Sequence, residues 1–275
     1  VLNALRKNGI YPDIIAGTSS GSVVGAIYAA GADFSSFIEE FKGRGAFELL
    51  DPTISQLNLL IYLYYYWTHR PMTFWKFPDG FFKGDRFECY LDEILGKRYF
   101  KDLELPLSVV SADIDTGETV VFCSRQNVPR KPINNTVFMT DQRVSAAVRA
   151  SISLPGVFVP KRLGGRRLVD GGVKNNIPVD ILYRQGARRV IAVDLGVTSR
   201  RARPDSIVEI IMASLDIMGD ELSCYIRRDY PAYYIYPDLQ GAGYKDYERL
   251  WEFAQFGEEA AQRVMPEIKR YLSQK

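Results

Sequence analysis

Short apolar runs alternate along this chain with stretches whose apolar residues recur at helical spacing. Ile14-Ile15-Ala16 predicts a short buried strand, and Val23 to Ala30 continues as a helix of mainly small residues. Leu105 to Ile114 and Glu118 to Phe122, separated by the polar Asp115-Thr116-Gly117, predict two further strands around a turn. Strands interspersed with helices in this way favour an α/β fold.

The amphipathic stretches predict helices that cover the sheet. Asp33 is a candidate N-cap for a helix that carries Phe34, Phe37, Ile38 and Phe41. Further helices are expected over residues 85–95, 141–150, 206–218 and 247–272.

The sequence predicts one domain. No linker is long or polar enough to divide it, so a single domain over residues 1–275 is expected, with residues 205–275 as a helical C-terminal cover. The continuous aliphatic run from Arg189 to Leu195 predicts a fully buried strand. A formal net charge of +2 is too small to indicate a nucleic-acid partner.

Cysteine and histidine usage argues against a metal centre. Cys89, Cys123 and Cys224 have neither Cys-x-x-Cys spacing nor paired histidines beside them, and are expected to be reduced, partly buried thiols of a cytoplasmic protein. His69 is the one histidine of the sequence. We therefore expect no metal and no cofactor.

The stretch Gly17-Thr18-Ser19-Ser20-Gly21 lies between the first predicted strand and its helix. A Gly-x-Ser-x-Gly sequence in this context is typical of a nucleophile elbow, where flanking glycines make room for a serine on a strained turn. The spacing selects Ser19 as the nucleophile, and the amide of Ser20 is a candidate oxyanion donor. The alternative is a small-residue turn of the kind found in any α/β protein.

A second candidate is Asp170-Gly171-Gly172, which ends a predicted strand after Arg167-Leu168-Val169. Such a carboxylate would lie at the edge of the sheet, where open α/β sheets hold their ligands. A capped turn explains the same residues equally well, because Asp-Gly pairs favour turns.

The proton acceptor for Ser19 is the open question. His69 precedes Asp170 in the chain, whereas the α/β-hydrolase order places histidine last, so a Ser-His-Asp triad is disfavoured. An aspartate can accept the proton directly if burial raises its pKa from about 3.9 towards neutrality. Apolar walls around Pro155 to Phe158 would favour that for Asp170.

Two segments indicate possible peripheral contact with a membrane. The aromatic run Leu57 to Trp67 is shorter than the ~20 residues of a membrane span, but it suits a lipid surface or an acyl pocket as well as an ordinary core helix. Arg200, Arg201 and Arg203 form a basic loop that could meet phospholipid head groups or simply be solvated.

Taken together and in this order, the two motifs resemble those of the patatin-like phospholipase family. Gly17-Thr18-Ser19-Ser20-Gly21 resembles that family's elbow, and Asp170-Gly171-Gly172 resembles the motif that carries its second catalytic residue. The 150–160 loop, the strand ending at Asp194, and the segments 237–239 and 257–261 are also similar.

The resemblance implies a three-layer α/β/α sandwich with a central, mostly parallel sheet. It also implies a Ser19–Asp170 dyad that hydrolyses phospholipids or other acyl esters without metal or histidine, with Gly17, Gly21, Gly171 and Gly172 shaping the site. The family's glycine-rich oxyanion loop is expected upstream of Val1 and is missing from this sequence, so the chain as given is expected to be slow. Two alternatives stay open: a catalytically silent lipid-binding or regulatory module, and an esterase that uses a His69 triad.

Overall fold

The computed structural model describes residues 1–45, 49–53, 79–196, 204, 206–241 and 246–274. The predicted strand and helix at the elbow are β1 (Ile15–Thr18) and α2 (Ser20–Ala29). Further helices are α1 (Leu2–Lys7), α3 (Phe34–Arg44), α4 (Asp85–Leu95), α5 (Val144–Ser151), α6 (Val179–Arg184), α7 (Ile207–Asp229), α8 (Leu250–Arg263) and α9 (Met265–Ser273). Further strands are β2 (Gly80–Phe82), β3 (Leu107–Asp113), β4 (Thr119–Phe122), β5 (Thr136–Met139), β6 (Gly156–Phe158), β7 (Lys161–Leu163), β8 (Arg166–Asp170), β9 (Ile191–Val193) and β10 (Tyr233–Ile235).

The main sheet has the strand order β5-β4-β3-β8-β7, and β1 also pairs with β3. The β1–β3 and β4–β5 pairs are parallel, whereas β3–β4, β3–β8 and β7–β8 are antiparallel. Two small parallel pairs, β2–β6 and β9–β10, lie outside this sheet. The α/β fold with flanking helices is confirmed. Its main sheet is mixed, where a mostly parallel sheet was expected, because β3 pairs antiparallel with both β4 and β8.

β1 and β8 lie end to end along the same side of β3. β1 runs parallel to β3 and ends with Thr18 opposite Val110. β8 runs the other way and ends with Asp170 opposite Ser111. The carboxyl ends of two strands that are far apart in sequence therefore meet at neighbouring positions of β3.

Every residue of β3 is buried because helices cover both faces of the sheet. On one face Val109, Val120 and Phe122 join the apolar cluster that includes residues of α2, α3, α4 and α5. On the other face Val110 and Val121 pack against Ile181 of α6. This alternation along β3 gives the layered arrangement of an α/β sandwich.

The C-terminal part differs in detail from the predicted helical cover. It contains the strand β10, which pairs with β9, between two helical parts. The first helix extends to Asp229 rather than ending near Met218. The second is divided at Val264, because Pro266 has no backbone N–H to continue the hydrogen bonds of α8.

The strand predicted to be fully buried between Arg189 and Leu195 is only partly so. β9 covers its centre, and Val190 and Ala192 are buried. Val193 and Leu195 are 41% and 47% exposed. The prediction was wrong on burial because β9 pairs with the short β10 and does not lie inside the main sheet.

Several predictions fall outside the described residues. They concern the aromatic run Leu57 to Trp67, His69, and the basic loop with Arg200, Arg201 and Arg203. Among the helices that are described, none combines the length and the apolar character required to cross a bilayer.

Candidate active site

Ser19 occupies a strained backbone conformation between β1 and α2. Its φ and ψ angles are 53° and −125°, a combination that costs a non-glycine residue on the order of 1–3 kcal/mol. Gly17 is required sterically, because a Cβ atom there would lie 2.4 Å from the carbonyl oxygen of Gly21. Gly21 itself faces open space, and no other described part of the chain comes within 4 Å of the position that a Cβ atom would occupy.

Three hydrogen bonds hold the elbow in place. The Ser19 amide donates to Ser151 Oγ at 2.9 Å, and Ser22 Oγ donates to the Ser19 carbonyl at 2.6 Å. Thr18 Oγ1 donates to the carbonyl of Asn175 at 2.8 Å, which ties β1 to the segment after the Asp-Gly-Gly motif. The strained turn is thus restrained from helix α5, from α2 and from the segment that follows Asp170.

Asp170 is nearly inaccessible, with 2% of its surface exposed. Its amide donates to the carbonyl of Ser153 at 2.8 Å, and its Oδ1 accepts the amide of Gly172 at 2.8 Å. Gly171 must lack a side chain, because a Cβ atom there would lie 2.4 Å from the carbonyl oxygen of Val110. Gly171 therefore allows the chain to turn closely against β3 directly after Asp170.

Burial raises the pKa of Asp170 to about 6. The Ser19 hydroxyl and the Gly172 amide act in the opposite direction, and the charge of Asp216 on α7 raises the pKa further. The Ser19 hydroxyl is close enough to Asp170 to lower this pKa, but it forms no well-aligned hydrogen bond with the carboxyl. Oδ2 of Asp170 therefore has no hydrogen-bond partner among the described residues.

Helix α2 begins directly after Ser19, so its amino-terminal end lies at the elbow. The first amides of a helix lack intrahelical acceptors and carry the positive end of the helix dipole. Ser20, the first residue of α2, is exposed. Negative charge developing on a substrate bound to Ser19 would therefore meet donors here.

Helix α7 passes over the Asp-Gly-Gly loop. A Cβ atom at Gly219 would lie 3.5 Å from the carbonyl oxygen of Gly172, so the helix and the loop are in close contact. Three residues of this environment were not predicted from sequence: Arg149, Ser151 and Asp216. A signal in the sequence could have identified Arg149 and Ser151. Polar residues occur there at every second position, at 149, 151 and 153, within a stretch of otherwise apolar and small residues.

No cluster of three or more His, Cys, Asp or Glu side chains suited to a metal ion occurs in the described part of the chain. The three cysteines are free thiols, but the expectation that they are partly buried was wrong: Cys123 is buried, and Cys89 and Cys224 are exposed. The described residues offer a hydroxyl at Ser19, a carboxyl at Asp170 and the backbone amides of the elbow.

Comparison with known proteins identifies the class. The pattern of the patatin-like phospholipase family matches residues 1–183. The chain belongs to this family.

Relatives from several kingdoms share about 30% of their residues with the chain. An uncharacterized NTE family protein of Mycobacterium tuberculosis is 31% identical over 200 residues, which are 71% of this chain and 44% of that protein. The protein YqhO of Bacillus subtilis is 30% identical over 233 residues, 78% of this chain and 73% of that one. The lysophospholipase NTE1 of Debaryomyces hansenii is 32% identical over 197 residues, 71% of this chain and 11% of that protein. The matched region thus spans less than half of the mycobacterial and yeast relatives.

The two elbow glycines should respond differently to alanine. We predict that Gly17→Ala lowers the free energy of unfolding by about 2–3 kcal/mol, because the new methyl group meets a backbone carbonyl that cannot withdraw. Gly21→Ala, in open space on a helix, should leave the stability unchanged or raise it by up to about 1 kcal/mol. Urea unfolding of both variants measures this, and equal losses would contradict the steric assignment.

Asp170→Asn should stabilise the protein in a pH-dependent way. The folded state raises the pKa from 3.8 to about 6, so native stability falls as pH rises through that window and stays low above it. Asparagine carries no charge at any pH, so the variant should exceed the native protein by about 3 kcal/mol at pH 8 and by little at pH 4. Urea unfolding at the two pH values tests this, with the exposed Asp13→Asn as control. A variant that is less stable than the native protein at pH 8 would show that the Asp170 charge is not destabilising.

Proposed function

We propose that this protein is a serine–aspartate lipid acyl hydrolase. The observation that carries the proposal is the placement of the strained Ser19 beside a buried carboxyl, Asp170, whose pKa is raised to about 6. Membership of the patatin-like phospholipase family and the yeast relative described as a lysophospholipase support an acyl ester of a lipid as the substrate.

In the proposed reaction Asp170 acts as the base. The Ser19 hydroxyl attacks the ester carbonyl carbon while its proton passes to the Asp170 carboxylate. The tetrahedral intermediate then collapses, the bond to the alcohol oxygen breaks, and the proton on Asp170 goes to the departing alcohol. Water then attacks the carbonyl carbon of the acyl-serine and gives a proton to Asp170. The bond from that carbon to Ser19 Oγ breaks, Oγ takes the proton back from Asp170, and the fatty acid leaves.

A pKa near 6 suits both halves of this cycle. At pH 7 the carboxylate is mostly ionised and can accept a proton, yet it is a stronger base than an exposed aspartate. The amide of Ser20 and the positive end of the α2 dipole would stabilise the oxyanion, a contribution for which single donors are worth about 2.7–4 kcal/mol. In this proposal Gly21, Gly171 and Gly172 lack side chains so that the substrate and the backbone amides can come close to Ser19.

Helix α7 supports peripheral contact with a lipid surface. Among the side chains of α7 that the structure describes, six apolar ones are exposed on its outward face, and the same helix contacts the Asp-Gly-Gly loop through Gly219. These residues are Ile210, Ile211, Ile217, Met218, Leu222 and Tyr225, between 36% and 65% exposed. An apolar face of this size next to a lipid-cleaving site fits a bilayer surface from which substrate is drawn. A cytoplasmic location of this contact stays a prediction.

Activity of substituted proteins tests the dyad. We predict that Ser19→Ala and Asp170→Asn each abolish hydrolysis of a short-chain nitrophenyl ester, because one lacks the nucleophile and the other its base. His69→Ala should retain activity. In the native protein kcat/KM should fall tenfold per pH unit below about pH 6, where Asp170 becomes protonated.

Each alternative has its own outcome in this experiment. Loss of activity in His69→Ala with full activity in Asp170→Asn would favour a histidine triad. A native protein that binds phospholipid vesicles but neither turns over esters nor reacts at Ser19 with a fluorophosphonate would be a silent lipid-binding module.

Charge on the outward face of α7 should weaken membrane binding. We predict that the double variant Ile217→Glu, Met218→Glu sediments with phosphatidylcholine vesicles roughly tenfold less readily, because burying apolar surface provides the binding energy. Ile114→Glu, an exposed isoleucine on the turn after β3, is the matched control and should bind normally. Equal binding of all three proteins would contradict this contact.

A further inference from the structure

The segment that ends helix α5 contacts the backbone of both candidate catalytic residues. Ser151 is the last residue of α5, and Ser153 follows two positions later. Both serines are fully buried, with 0% of their surface exposed. Neither belongs to the elbow or to the Asp-Gly-Gly motif.

Ser151 joins the elbow to the central strand. Its Oγ accepts the Ser19 amide at 2.9 Å and donates to the carbonyl of Val110 at 2.6 Å. Because the hydroxyl proton is committed to Val110, the oxygen lone pairs face Ser19. The side chain thus bridges the strained turn to the β3 residue that lies opposite Thr18.

Ser153 fixes the other half of the site through its main chain. Its carbonyl accepts the Asp170 amide at 2.8 Å. Its Oγ accepts from Arg149 Nη1 at 2.6 Å and donates to the Arg149 carbonyl at 2.9 Å. Ser153 is therefore held from two sides by Arg149.

Arg149 anchors this segment to the rest of the fold. Arg149 is 1% exposed, and its guanidinium donates to the carbonyls of Lys83 and Val159 at 3.0 and 3.1 Å. It also lies over the ring of Phe158 at 4.8 Å. Burial lowers the pKa of Arg149 to about 10, so the side chain stays charged at neutral pH and keeps all of its donors.

We propose that the Ser151–Ser153 segment is a positioning clamp that sets the distance between the Ser19 hydroxyl and the Asp170 carboxyl. Ser19 is held in a conformation that its own backbone disfavours, and Ser151 supplies the acceptor that retains its amide there. The same three residues hold the Asp170 amide, so movement of one partner relative to the other is resisted by one short stretch of chain. This inference rests on the proposed function, since a distance between Ser19 and Asp170 matters to activity only if they react together.

Ser151→Ala tests the clamp against Ser145→Ala. Ser145 is also buried on α5, and its Oγ donates to Asp92 Oδ1 at 2.5 Å, away from Ser19 and Asp170. We expect Ser151→Ala to lower kcat on a short-chain nitrophenyl ester 10- to 100-fold with KM nearly unchanged, because small displacements of reacting groups cost about this much. Ser145→Ala should lose comparable stability and keep its kcat. A kcat in Ser151→Ala equal to that in Ser145→Ala would overturn the clamp.

A second pair of variants covers the case in which Ser151→Ala folds poorly. The side chains introduced by Ser151→Thr and Ser151→Val have the same shape and differ in the hydroxyl, so kcat of Ser151→Thr should exceed that of Ser151→Val at least tenfold. Equal kcat values would overturn the proposal.

Hydrogen exchange of the Ser19 amide tests its hydrogen bond to Ser151 without any measurement of enzyme activity. Exchange should be at least tenfold faster in Ser151→Ala than in Ser145→Ala, because the first variant removes the acceptor of that amide. If exchange is faster in Ser151→Ala but the native protein hydrolyses no ester, the hydrogen bond between Ser19 and Ser151 is supported and the proposed function is rejected. Unchanged exchange would reject the contact itself.

Discussion

The site depends on the pairing of β1 and β8 with one side of the central strand β3. Backbone hydrogen bonds place Thr18 opposite Val110 and Asp170 opposite Ser111, so that the two strand ends meet head to head. The register of the sheet alone therefore brings the Ser19 hydroxyl and the Asp170 carboxyl together, without help from side-chain interactions. A slip of β8 by one residue would turn Asp170 to the opposite face of the sheet.

Both halves of this arrangement are unfavourable for folding taken alone. Ser19 adopts a positive φ that costs about 1–3 kcal/mol, and Asp170 carries a charge into a place with little water. The apolar clusters on the two faces of β3 must offset these costs. An unfavourable conformation persists where the surrounding contacts fix a residue in place. Hydrogen bonds to Ser151, Ser153 and Asn175 fix this site.

The sequence was sufficient for the local features with a distinctive chemistry. The strand and helix around Ser19 follow from the apolar run and the small residues after it, and the turn at 115–117 follows from its composition. The α/β fold and the family are likewise as predicted. The roles of Ser19, Asp170, Ser20 and the four glycines in catalysis stay predictions, although the structure brings Ser19 and Asp170 together and gives Gly17 and Gly171 a steric reason.

What sequence reasoning missed depends on contacts between distant segments. Nothing local in Ser151 indicates that its hydroxyl meets an amide 132 residues away. Asp216 lies in a predicted helix, but the sequence did not show that this helix packs on the Asp-Gly-Gly loop. The half-exposed β9 was misjudged because aliphatic composition does not reveal which strand lies beside it. Gly21 was expected to relieve a collision, yet its surroundings are open.

Titration of the Asp170 carboxyl by carbon NMR, in the native protein and in Ser19→Ala, reports on the contact between the buried acid and the serine. We predict a midpoint near pH 6 that moves higher when the Ser19 hydroxyl is removed, because that hydroxyl stabilises the carboxylate. A midpoint near pH 4 that does not respond to the loss of Ser19 would contradict this arrangement, since the carboxyl would then be neither buried nor in contact with the serine.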